Sequence, residues 1–179
     1  MVTEREAILS VAAKTGIDSF AAHVSGAGYR LWATSGTAEA MHDTAVSGDL
    51  AGLLGCYPDY KNLARTAGRE QVAGLLSTVL MGGDSGIGLV AVNLSRHPST
   101  QNSFPKGDYG GRALLQAAAE QHCIVVSSPD QYEAVADWLQ NEMPQKEAFL
   151  RGLGARAEAE VAAYSAALAV QRITSPNTI

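Results

Sequence analysis

The run Gly88-Leu-Val-Ala-Val-Asn-Leu94 is apolar at successive positions and lacks the alternation of a half-exposed strand. Such a segment needs cover on both faces, which is the condition of a central strand in a parallel sheet. Cys123-Ile-Val-Val126 has the same character, and Ala7-Ile-Leu-Ser-Val11 and Tyr29-Arg-Leu-Trp32 read as two further short strands. Ile17, Phe20, Ala21 and Val24 recur at helical spacing until Gly26 and Gly28 stop the pattern, and Val72, Leu75, Leu76 and Val79 mark a later helix. Thr37 is expected to cap the helix after the second strand. Further helices are expected near 111–121 and 130–142, with a long alanine-rich one from about 145 to 171 that puts Phe149, Leu153, Val161, Tyr164 and Leu168 on its apolar side. Strands alternating with helices predict a layered α/β domain with a mostly parallel central sheet flanked by helices.

A chain of 179 residues, 46% hydrophobic and 17% charged, is long enough for one such domain, expected over 1–173 with a loose tail at 174–179. The net charge of −5 argues against a nucleic-acid partner, which would call for clustered Lys and Arg. Cys56 and Cys123 lack CxxC spacing or a partner His, so they are expected to be ordinary buried thiols in a reducing compartment, with no metal site. No leader-like or bilayer-length apolar run occurs, and the expectation is a cytoplasmic protein that makes no use of a membrane.

Ser10-Val-Ala-Ala-Lys-Thr-Gly16 and Ala33-Thr-Ser-Gly-Thr37 each place small, hydroxylated and glycine residues at a strand-to-helix junction. Free amides, the positive end of the helix dipole and nearby hydroxyls converge on an anion there, and Lys14 adds a point charge. In a parallel sheet these turns share the carboxyl edge with the turn after Leu94 and with Lys106-Gly-Asp-Tyr-Gly-Gly111. The amides of the latter are suited to an oxyanion and Asp108 to a proton. From the residues alone, an Asp-capped helix start behind a flexible loop is the simpler reading of that segment.

The ordered motifs resemble the IMP cyclohydrolase domain of the bifunctional purine-biosynthesis enzymes that also carry AICAR transformylase, which have a methylglyoxal-synthase-like fold. Ser10 to Gly16 is similar to that family's SVSDKTG, Ala33 to Thr37 to STGGT, and Val90-Ala-Val-Asn-Leu94 to VVVNL. Asp108-Tyr-Gly-Gly111 resembles DIGG, Ala117 to His122 resembles AAAKNH, and Pro129-Asp-Gln-Tyr132 and Ala162-Ala-Tyr164 continue the match in order. The likeness spans nearly the whole chain and leaves out the transformylase half.

The resemblance implies a homodimer that binds a purine-type ribonucleotide by its 5′-phosphate, with no cofactor and no metal. In that family a carboxamide nitrogen attacks a formyl carbon, water is lost, and amides near DIGG hold the oxyanion. Carried over by motif, the binding residues are Ser10, Lys14, Thr15, Gly16, Thr34, Ser35, Gly36, Thr37, Thr66, Asn93, Leu94, Ser95, Tyr109, Gly110, Gly111 and Glu120. Asp108, Arg65 and His97 are the catalytic candidates.

Departures from the family cluster in the base-facing positions. The family's GRVKTLHPKIHGG corresponds to Asn62–Gly74, where the functional lysine becomes Arg65, Thr66 is kept and the histidines are gone. The tyrosine of NLYPF becomes Ser95, with His97 two residues on as a replacement acid or base, and the lysine of AAAKNH becomes Glu120. Arg65 stays protonated, so it can clamp an anion but is a poor proton donor. Three functions follow: a diverged cyclohydrolase-like hydrolase acting on a cyclic amidine of a purine-like, imidazole or pyrazole ribonucleotide; a non-catalytic nucleotide-binding regulatory domain; and, least supported, phosphate elimination of the methylglyoxal-synthase type.

Overall fold

The computed structural model describes residues 5–95 and 107–174. Its strands are β1 (Arg5–Val11), β2 (Tyr29–Ala33), β3 (Ile87–Asn93) and β4 (Ile124–Val126). They form one sheet in the order β2-β1-β3-β4, parallel throughout, with Ile8 opposite Trp32, Ser10 opposite Val92 and Val90 opposite Val125. β3, uniformly apolar, is central as expected, and Leu89 to Val92 are buried, as are Ala7 to Leu9 of central β1. β4, whose apolar run also predicts a central strand, instead lies at the edge of the sheet; Ile124 to Val126 are buried there because α5 and α7 pack against them.

The helices are α1 (Ile17–Gly26), α2 (Ser35–Ala38), α3 (Leu50–Gly55), α4 (Arg69–Met81), α5 (Tyr109–Glu120), α6 (Tyr132–Gln140) and α7 (Lys146–Thr174). α1 packs on α6, whereas α4, α5 and α7 pack in series. Right-handed crossovers put these groups on opposite faces of the sheet, because the chain moves outward from β1 to β2 in one direction and from β3 to β4 in the other. This layered α/β arrangement is the fold class the strand and helix periodicities predict.

Three local expectations are corrected. Thr37 does not cap a helix: Thr34 precedes α2, and Thr37 sits inside it, wholly buried, with its hydroxyl turned back to the end of β1. Cys56 is exposed, because it falls at the end of α3 with its thiol directed to the Gly52 carbonyl, whereas Cys123 is buried. On α7 Leu153, Val161 and Leu168 are buried as expected, joined by Leu150, and Phe149 packs half-buried on the core, its ring stacked on Trp138 with centroids 4.4 Å apart. Thr174, placed by sequence at the start of a tail, is the last residue of α7.

Candidate functional site

The four strands end at one edge, and the chain leaves β1 and β2 through the two hydroxyl- and glycine-rich turns. Thr37 joins them. Its Oγ1 accepts the Val11 N–H at 3.1 Å and the Lys14 ammonium at 3.1 Å, and lies 3.0 Å from the Thr34 hydroxyl. The ammonium also donates to the Val11 carbonyl, so a side chain from the first turn lies against the second. Gly16 takes φ = +76° to begin α1, a conformation that strains residues carrying a Cβ.

Asn93, at the end of β3, ties the first turn to the centre of the sheet. Its Oδ1 accepts the amides of Ala12 at 2.6 Å and Ala13 at 2.7 Å, which also fixes the orientation of the carboxamide. Those two amides are thus satisfied from within. Among the described residues nothing accepts from the amides of Lys14, Thr15 and Gly16 on one turn, or of Ser35 and Gly36 on the other.

Beside the turns runs a groove built from adjoining cavities. One of about 520 Å³ is lined by Ser10, Thr34, Arg69, Ser95, Asp108 and Gly110, among others. It shares Ser95 and Tyr164 with a cavity of about 720 Å³ that reaches Asn93, Ser127 and Glu160. It shares Thr34 and Arg69 with one of about 240 Å³ that reaches Ser35.

The far wall is the start of α5. Asp108 Oδ1 accepts the Gly111 N–H at 2.8 Å, so its carboxylate caps the helix, and the Asp108 amide donates to the Tyr164 hydroxyl at 2.9 Å. Gly110 is pressed against α4: a Cβ there would lie 2.7 Å from that of Ala73. Tyr109 points outward and is 62% exposed.

Bifunctional purine biosynthesis protein PurH of Parvibaculum lavamentivorans is 32% identical over 184 residues, covering 92% of this chain. The PurH proteins of Ruegeria pomeroyi and Brucella ovis are 29% and 28% identical, also over 92% of the chain. The chain is a homologue of PurH.

It spans only about a third of the length of these PurH relatives, 34%, 35% and 34% respectively. Among solved structures, that of ForH superposes with a TM-score of 0.68 at 26% identity, covering 94% of this chain and 98% of ForH. No family model matches the chain.

Within the PurH-like segments, the structure brings together Ser10, Lys14, Thr34, Ser35, Asn93, Leu94, Ser95, Asp108, Gly110 and Gly111 along the groove and its turns. Arg65 and Thr66 are exposed at the short helical turn Leu63–Arg65 and line none of the three cavities. Glu120 lies at the opposite end of α5, about 16 Å from its start at 1.5 Å per residue. His97 lies outside the described residues.

Sequence reasoning did not select Arg69, Ser127 or Glu160 as site residues, and it took Tyr164 as a helix-face residue within the matched Ala162-Ala-Tyr164 without giving it a role at the site. Arg69 carries a faint signal, since it follows Gly68 at the first position of α4, where a side chain is free to reach toward strand ends. Ser127 follows the last residue of β4, at the same sheet edge as the other turns.

Lys14 is held below the ordinary lysine pKa, first by partial burial of its ammonium and second by the positive charge of Arg69, while Glu39 opposes both. Burial pushes the Tyr132 phenol up to about 12, with the nearby Asn93 carboxamide moderating the rise. The Tyr132 hydroxyl reaches no partner at hydrogen-bond distance; its ring stacks on Phe20 at 4.4 Å, beneath Gly16.

Proposed function

We propose that this chain binds a purine-type ribonucleotide 5′-monophosphate along the groove and carries out a cyclohydrolase-type reaction on it, closing or hydrolytically opening a ring amidine. The observation that carries this reading is Thr37: one buried hydroxyl links Lys14, Thr34 and the end of β1, so the two phosphate-suited turns are held against one another beside the groove. Homology with PurH supports a role in purine metabolism, and the same resemblance supports a homodimer in the cytoplasm.

In ring closure an amide nitrogen bonds to a formyl carbon, the carbonyl oxygen gathers charge, and water leaves. The Gly110 amide, in the first turn of α5 and beside the 520 Å³ cavity, is suited to that oxygen. Asp108 presents one carboxylate oxygen to its own helix, which leaves Oδ2 to take or return a proton. Lys14 and the turn amides hold the phosphate and thereby position the ring. Changed base-facing residues, Ser95 in particular, suit a substrate that differs from that of PurH, a modified imidazole or pyrazole nucleotide included.

The second reading, a regulatory domain that binds nucleotide without turnover, is favoured by the capping role of Asp108 and by the exposed position of Arg65. Ultraviolet absorbance with formyl-AICAR ribonucleotide and with IMP, alongside calorimetric binding, separates the two. Asp108→Asn sharpens the test: Asn caps a helix about as well as Asp, so loss of turnover with binding retained assigns a proton to the carboxylate. Undiminished turnover assigns Asp108 to capping alone.

A further inference from the structure

We infer that Arg69, and not Arg65, is the second cation of the anion site, and that it pairs with Lys14 across the groove to select a phosphate monoester. The inference rests on the nucleotide-binding reading and adds a residue to which no resemblance points.

Geometry supports it first. Arg69 lines two adjoining cavities together with Thr34, and Thr34 contacts Thr37, which holds the Lys14 ammonium. Arg69 and Lys14 thus both neighbour the Thr34–Thr37 pair, Arg69 from the start of α4 and Lys14 from the turn after β1. Among the described residues Arg69 forms no ion pair. The acidic neighbours do not neutralise it: Asp49 shares one cavity but spends its carboxylate capping α3 through the Gly52 amide at 2.7 Å, and Glu70 shares the other without bridging to it.

Electrostatics agree. Burial is the first cause of the lowered Lys14 pKa, and the positive charge of Arg69 is the second, opposed by Glu39, so the two cations lie near enough to act on one another. Such an arrangement is unfavourable when empty and is relieved by an anion between the charges. A phosphate monoester, with up to two negative charges and several acceptor oxygens, matches a forked guanidinium opposite a point-like ammonium. Arg65, exposed at the turn before α4, lines none of these cavities.

The test is calorimetric titration of wild type, Arg69→Ala, Arg69→Lys and Arg65→Ala with IMP and with ribose 5-phosphate at several salt concentrations. Loss of a charge-assisted contact predicts IMP affinity weaker by roughly tenfold to a hundredfold in Arg69→Ala, partial recovery in Arg69→Lys, and less than about twofold change in Arg65→Ala. Arg69→Ala also flattens the salt dependence, which a structural effect on α4 would not do. Wild-type affinity in Arg69→Ala, or a larger loss in Arg65→Ala, overturns the assignment and leaves the nucleotide reading standing. A wild-type protein that binds neither probe overturns both.

Discussion

The Tyr164 hydroxyl accepts the backbone N–H of Asp108 at 2.9 Å, so a residue well along α7 fixes the start of a helix that begins more than fifty positions earlier. Tyr164→Phe strands a part-buried amide, and we expect a loss of about 1–2 kcal/mol in urea unfolding. Nucleotide affinity should fall with it, because the Gly110 amide sits on the same turn. An unchanged unfolding midpoint would show that the amide finds another acceptor.

Asn93 allows binding and folding to be separated. Asn93→Ala removes the acceptor of the Ala12 and Ala13 amides and should cost about 1–3 kcal/mol in stability. Asn93→Asp keeps that acceptor but adds a negative charge beside the phosphate turns. Because the charge is buried and the Nδ2 contact with the Ala13 carbonyl is lost, we expect some loss of stability, smaller than in Asn93→Ala, and IMP binding at least about tenfold weaker, as read by calorimetry.

The pKa of Lys14 predicts a pH dependence with a definite sign. In the folded chain it titrates below the ordinary lysine value of 10.5, so between the lowered value and 10.5 the unfolded chain holds more protons and stability rises with pH. A bound phosphate reverses the shift by favouring the charged ammonium. Nucleotide binding should therefore take up protons within that window and weaken as pH rises through it. Calorimetry in buffers of different ionisation enthalpy measures the uptake, and Lys14→Met should abolish it while changing stability less than affinity.

The contact between α4 and α5 predicts a compensating pair. Gly110→Ala would put its Cβ 2.7 Å from that of Ala73 and 3.4 Å from the Glu70 carbonyl, forcing the helices apart at a cost of about 1–3 kcal/mol. Ala73→Gly removes the closer clash and should recover part of that loss in a double-mutant cycle. Additive losses in the double variant would mean that the backbone, not Ala73, sets the spacing.

Much of the scaffold was legible because burial on both faces leaves a plain mark. The uninterrupted apolar residues of β3 and β4 and the 3.6-residue periodicity of α1 and α4 marked those elements, although β4 carries the mark of a central strand at an edge because α5 and α7 cover it. The short elements were less legible. α2 and α3 are too brief for periodicity to register, so Thr37 resembled a cap when tertiary contact had turned its hydroxyl toward Val11. At the site, motif resemblance pointed to Asp108 and Lys14 but could not show that Asp108 is engaged with Gly111. It also drew attention to Arg65, whereas the groove is lined by Arg69, four residues along. Which of two nearby arginines enters a cavity depends on where a helix begins, and that is decided by packing.

The Asn93 carboxamide, by taking up two amides of the first turn, makes part of the proposed anion cradle a condition of folding. Any descendant of this chain that abandoned its chemistry would still be under pressure to keep that asparagine. Side chains with no hydrogen bond or ion pair among the described residues, such as Arg69, are under no such pressure. Drift at those positions is therefore the earlier sign that a lineage has changed or lost its ligand.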